Sequence, residues 1–381
     1  MVATYLFPIT AAVSLFPILV LLVMLPVAFV SYRRRGRAGG WTTLVFYSFL
    51  FYLLAIALQT IVPLPADASY CAAHTYASSP QLRPFYFVEV VTQRARGHWS
   101  PGAILHNPAI WSTALNVAML APLGLFMRYL WGVRLVATTL AGFGVSLFLE
   151  LTQLTGLWFV YPCPYRLFSV DDLILNTTGV VLGWLVAGPL TRVLPALEPG
   201  RDHRRYAEKV TFTRRLFALI TDLLGFATLI AFGFGLLTLF GEDLRHGDVA
   251  VAILALLWFV VVPAVTGSTL GKRAMLLRVT RASGRRAGPF ALLIRYGVLL
   301  SPLWLTWLTV GLGLGRLAEH PERLLLLIGV VVSAFAVLVW TPLAVLRRDE
   351  RRAPHERWSR TVNTAIVQEL PREKSPVLVK R

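Results

Sequence analysis

Apolar residues in this chain arrive in blocks of about twenty, the length a helix rising 1.5 Å per residue needs to cross a hydrocarbon core of roughly 30 Å. The blocks predict spans at residues 7–31, 42–62, 108–127, 135–155 and 172–191. Four more follow at 216–240, 249–266, 290–312 and 324–345. The expected fold is therefore all-α, a polytopic transmembrane helical bundle of about nine spans. Trp41, Trp99, Trp131 and Trp158 fall at block ends, where aromatic rings suit the membrane–water interface. No Lys or Arg precedes Arg33, and the first block outruns the apolar core of a signal peptide, so it reads as a retained span.

Composition agrees with the pattern. The 381 residues are 56% hydrophobic and only 15% charged, and the mean hydropathy of +0.65 is too high for an ordinary soluble domain. On a soluble chain the net charge of +18 would point to nucleic acid. Here the Arg and Lys residues sit between the apolar blocks, so membrane orientation explains them and no nucleic-acid partner is expected. Arg33, Arg34, Arg35 and Arg37 follow the first span and mark that loop as cytoplasmic. Alternating onward, the same side receives Arg128 and Arg134, then Arg201 to Arg215, then Lys272 to Arg286, and finally a tail from Arg347. The opposite loops hold few basic residues. The N-terminus is thus expected outside and the C-terminus inside, in a bacterial cytoplasmic membrane.

The polar stretch Glu198–Lys209, with Pro199 and Gly200, divides the chain. The expected organisation is a five-span unit over residues 1–192, a basic cytoplasmic linker at 193–214, a four-span unit at 215–346 and a basic, partly disordered tail at 347–381. Both cysteines, Cys71 and Cys163, fall in outside loops, where disulfides are permitted, and a disulfide between them is expected. One pair of cysteines with scattered histidines lacks metal-ligand spacing, so no metal is expected.

Polar groups inside spans carry the most information, since an ionisable one costs about 2.5–3.5 kcal/mol at mid-bilayer. Asn116 lies in span three, and Ser146, Glu150 and Gln153 share one face of span four. Asp171, Asp172 and Asn176 open span five, and Arg166 sits in the loop before it. In the expected orientation these groups converge on the outer leaflet. They form either an outward polar pocket, with Arg166 pairing to Glu150, Asp171 or Asp172, or a hydrogen-bond network that only holds helices together. In the second unit Arg215 and Asp222 lie on one face of span six, with Arg295 at a depth where it can meet Asp222.

Two resemblances cover most of the chain. Residues 40–190 carry Leu64-Pro65, Asn116–Pro122–Gly124, Ser146–Glu150–Gln153, and Arg166 through Asp171, Asp172 and Asn176 to Gly179 and Gly183. This stretch resembles the VanZ-like domain, with Ser169 where that family often has Asp. The resemblance implies a link to lowered susceptibility to glycopeptide antibiotics at the cell surface. Residues 210–365 resemble the RDD family through Arg215–Asp222, through Gly267, Thr269, Gly271, Lys272, Gly284 and Arg295, and through a closing segment His355–Thr361 with Glu356 in place of the usual Asp. That resemblance implies ion transport or antiport. Gly267–Lys272 lacks the Walker spacing, so no nucleotide is expected, and no cofactor is implied. Neither a Ser–His–Asp nor a metal-ligand constellation appears. Three functions stay open: a non-enzymatic envelope protein among membrane lipids binding a lipid-linked or cell-wall precursor head group, an ion/proton transporter using Asp222, and an intramembrane enzyme with Glu150 and Asp172 as acid and base.

Overall fold

The computed structural model describes residues 2–62, 79–97, 99–197, 199–241, 246–311, 322–347 and 352–368. Among them, eight helices are long and apolar enough to cross a membrane, nine if a bent pair counts as one crossing. The chain is a multi-pass helical membrane protein. In chain order the helices of the first part are α1 (Val2–Arg35), α2 (Trp41–Ile61), α3 (Tyr86–Ala95), α4 (Pro101–Leu105), α5 (Pro108–Trp131), α6 (Leu135–Leu154) and α7 (Val170–Val193). The short helix α8 (Pro199–Tyr206) leads into α9 (Phe212–Leu239) and α10 (Gly247–Thr266). After α11 (Leu270–Ala274) and strand β1 (Leu277–Arg281) come α12 (Pro289–Leu299), α13 (Ser301–Gly311), α14 (Leu324–Leu346), α15 (Pro354–Trp358) and strand β2 (Thr361–Ala365). Two compact units result: residues 1–22 with 39–197, and residues 23–38 with 198–381.

In the first unit, α5 and α7 are in backbone contact. A methyl group on Gly124 would collide with the Val180 carbonyl, one on Gly179 with that of Val117, and one on Gly183 with that of Ala121. Three missing side chains thus let two helices touch along about two turns, the small-residue packing that serves where no hydrophobic drive separates helix from lipid. Ile56, Leu120, Leu123, Leu149 and Val180 fill the core beside this seam. Asn107 caps α5 by accepting from the Ala109 N–H at 3.0 Å, and Pro108 supplies the first turn. Between α6 and α7, Leu157, Trp158 and Phe159 take left-handed backbone angles, at roughly 1–2 kcal/mol each.

The second unit shows three features that the hydropathy pattern does not specify. The continuous span at 290–312 is instead α12 and α13, bent by 70°. Pro302 follows the break, and having no N–H it cannot continue the helical hydrogen-bond ladder across it. The linker is also ordered: α8 carries Asp202, which pairs with Arg37 at 2.9 Å, and His203, which bonds the Gln368 carbonyl at 2.9 Å. Finally, the tail is folded from 352 to 368. There β2 pairs antiparallel with β1, Leu277 opposite Ala365 and Arg281 opposite Thr361, the one small sheet among the described residues. Alternation along β1 buries Leu277 and Val279, and Val279 joins Phe259, Leu292, Tyr296 and Leu299 in one buried core.

Candidate functional site

The polar groups of the first unit gather at one end of its bundle. Glu150, near the end of α6, is 4% exposed and accepts from the Ser169 N–H at 3.1 Å. Asp171 and Asp172 stand in the first turn of α7, where the positive end of the helix dipole favours carboxylates. Asp171 accepts from the Phe87 N–H at 2.7 Å. Asn116 reaches across from α5 and donates to Asp172. Asn176, one turn deeper, donates to Ser146 on α6 at 3.0 Å. Gln153 donates to the Thr60 carbonyl at 3.3 Å, and the Tyr165 hydroxyl donates to the same carbonyl at 3.1 Å. All eight residues singled out from the sequence therefore lie on α5, α6, α7 or the segment before α7.

Arg166 does not do what its spacing suggested. It donates weakly to the Val62 carbonyl at 3.5 Å, and among the described residues it forms no salt bridge with Glu150, Asp171 or Asp172. Its charge acts on Glu150 and Asp172 through space. Three carboxylates thus face one guanidinium that neutralises none of them by contact. Asp171 Oδ1 and Asn176 Oδ1 are buried without a donor, and an unmet acceptor of this kind costs about 1–3 kcal/mol. Tyr165, outside the spans and buried, has its phenol pushed up to about 12 by burial, against the opposing pull of Arg166. Residue reasoning missed Tyr165 and the Thr60 carbonyl, and also the Phe87 and Ser169 amides, which are backbone donors and leave no trace in residue type.

In the second unit the expected Asp222–Arg295 pair does not form. Asp222 is buried against α11, accepting from the Thr269 hydroxyl and from the Gly271 N–H at 2.7 Å. Arg295 turns instead to the tail: it donates to Glu356 at 3.1 Å, Thr361 at 2.6 Å and Asn363 at 3.0 Å. Glu356, 1% exposed, takes Arg215 on its other oxygen at 2.9 Å. It also accepts from Asn363 and from the Ala353 N–H, so its acceptor positions are filled. Lys272 is 4% exposed with its ammonium 5.3 Å from the Tyr296 ring centre, within cation–π range. Gly267 ends α10 with φ +79°. Arg214 counts in the sequence only among the basic residues that orient the chain, yet it is wholly buried and donates to the carbonyls of Ala207, Lys209, Met275 and Leu276. Burial, reinforced by Arg295, Lys272 and Arg215, holds the His355 imidazole well below its ordinary pKa.

Family models match both halves: VanZ/LLP1 over residues 49–194 and the RDD family over residues 209–360. The chain is a VanZ-like domain followed by an RDD domain. Searches of curated proteins and of solved structures returned no match. Asn116, Glu150, Arg166, Asp172 and Asn176 all belong to the VanZ-like domain, whereas the Asp222 and Glu356 clusters belong to the RDD domain. Two cavities accompany them. One of about 360 Å³ in the VanZ-like domain is lined by Phe87, Val88, Val91, Trp99, Ile110 and Thr113 among others. One of about 490 Å³ in the RDD domain lies against Phe226, Phe259, Tyr296 and Trp304. Neither is lined by Glu150, Asp171, Asp172 or Asp222. Among the described residues no cluster of His, Cys, Asp or Glu is arranged to hold a metal ion. Cys71 lies outside the described residues, and Cys163 is not a free thiol.

Proposed function

We propose that the protein is a non-enzymatic component of the bacterial cytoplasmic membrane whose VanZ-like domain binds the polar head group of a lipid-linked or cell-wall-related molecule on the outer face, altering susceptibility to glycopeptide-type antibiotics. One observation carries this reading. Glu150, Asp171 and Asp172 collect at one bundle end without a contact ion pair to Arg166, beside two buried acceptors that lack donors. A network serving only to hold helices would be expected to satisfy its own members, because a half-satisfied buried network is worse than an apolar core. The transport reading draws less support, since Asp222 already has two donors. The outward orientation rests on the basic-residue asymmetry of the loops. On that side we also propose a Cys71–Cys163 disulfide, which blocked thiol alkylation before reduction would reveal.

The test is antibiotic susceptibility in cells expressing the full chain or its variants. Glu150→Gln and Asp172→Asn are expected to abolish any protection while membrane levels of the protein hold. Full protection from both variants would remove the reading. Impermeant maleimide labelling of Arg166→Cys in intact cells checks sidedness independently, and labelling only after lysis would reverse the orientation.

A further inference from the structure

Two walls of the 360 Å³ groove lead directly to the carboxylates of α7. On α3, Phe87 lines the groove, and its backbone N–H donates to Asp171 at 2.7 Å. On α5, Thr113 lines the groove, and one turn further along the same face Asn116 is bonded to Asp172. Asn107 ties these walls together, donating to the Val91 carbonyl at 3.2 Å. The groove and the polar cluster thus meet at two places in the chain, Phe87 on α3 and Thr113–Asn116 on α5. Its other lining residues are Val88, Val91, Trp99, Ile110, Ala114 and Thr92. Val88 and Trp99 are about half exposed, so the apolar floor opens outward. A volume of about 360 Å³ lies in the range of small-ligand sites, roughly 300–1,000 Å³.

We infer that this groove and the adjoining carboxylates together bind one amphiphile, its hydrocarbon chain along Phe87, Val91 and Ile110 and a primary-ammonium head at Asp171 and Asp172. The inference rests on the head-group reading above and adds the chemical class. An ammonium matches the cluster on two counts. It supplies positive charge to three carboxylates that Arg166 does not contact. It also supplies three N–H donors to a cluster in which Asp171 Oδ1 and Asn176 Oδ1 have none. A metal ion matches less well, because the carboxylates do not converge in a ligating arrangement among the described residues. A trimethylammonium head carries the charge without donors, and a glycerol head carries donors without the charge.

Native mass spectrometry of the detergent-purified full chain, titrated with phospholipids of matched chain length, separates these cases. The ethanolamine-headed lipid is expected to bind at least tenfold more tightly than the choline- or glycerol-headed ones. Val91→Trp and Ala114→Trp, which fill the groove, are expected to weaken it at least tenfold with unchanged melting temperature. A two-carbon-chain ethanolamine analogue should bind tenfold or more weakly than the long-chain lipid. If that analogue binds as well and both groove variants leave affinity unchanged, the chain site is wrong while the head-group site stands. No preference among the three head groups overturns the ammonium assignment. If Asp171→Asn and Glu150→Gln also leave all binding unaltered, the head-group reading falls with it.

Discussion

Gly271 gives its backbone N–H to Asp222 at 2.7 Å from a position where no side chain fits. A Cβ there would sit 2.7 Å from the Asp222 carboxyl carbon and collide with the Ala218 carbonyl. Gly271→Ala must therefore push α11 off α9 and break the bond to a buried carboxylate. The expected cost is about 1–3 kcal/mol from overpacking alone. Thermal melting in detergent checks it, and a melting temperature equal to the parent protein's would contradict the packing described.

Gly183 makes the same demand on the VanZ-like side, where its substitution would strike the Ala121 carbonyl. Gly183→Val is expected to separate α5 from α7 and, with them, Asn116 from Asp172. The measurable result is loss of monodisperse protein on size exclusion, or of head-group binding where folded protein survives. A well-behaved variant with full binding would show that the two helices need not touch.

Glu356 sits between Arg215 and Arg295 and is almost fully buried. Removing one partner of a buried ion pair costs about 3–5 kcal/mol, chiefly because the charge left behind has no counter-ion. Glu356→Gln is expected to lose stability on that scale, and Glu356→Asp, which keeps the charge, to lose less. Equal melting points for the two variants would assign the effect to shape instead of charge.

The imidazole of His355 is held neutral by burial and by three neighbouring cations, so its folded pKa lies below its unfolded value of about 6.5. The unfolded chain then binds the extra proton as pH falls below that value. Stability should decline there by up to about 1.4 kcal/mol per pH unit until the folded pKa is reached. Melting curves between pH 7.5 and pH 5 are expected to show this slope, and His355→Gln to flatten it. An unchanged slope in the variant would place the titration elsewhere.

The spans were legible because a bilayer imposes length and hydropathy on each, and nothing else in the chain satisfies both. Asn116, Glu150, Asp171, Asp172 and Asn176 were legible for the same reason, as polar residues in apolar blocks. What failed was partner choice. Depth along a helix places Asp222 and Arg295 at similar heights, but the rotation of α12 is decided by the tail, which offers Arg295 three acceptors. The tail's partner strand left little signal, because Thr361–Ala365 is mostly polar. The bend after Leu299 did have a sequence signal in Pro302, masked by the strong hydropathy on both sides. Arg166 illustrates the converse: opposite charges near in sequence need not touch when a backbone carbonyl lies closer.

The pairing of β2 with β1 has a consequence for biogenesis. Arg295 meets its acceptors only after residues 356–363 have been synthesised, more than sixty positions and a further membrane segment later. Until the ribosome has released that stretch, the guanidinium must wait in water or among lipid phosphates, so the RDD half can close only late in translation.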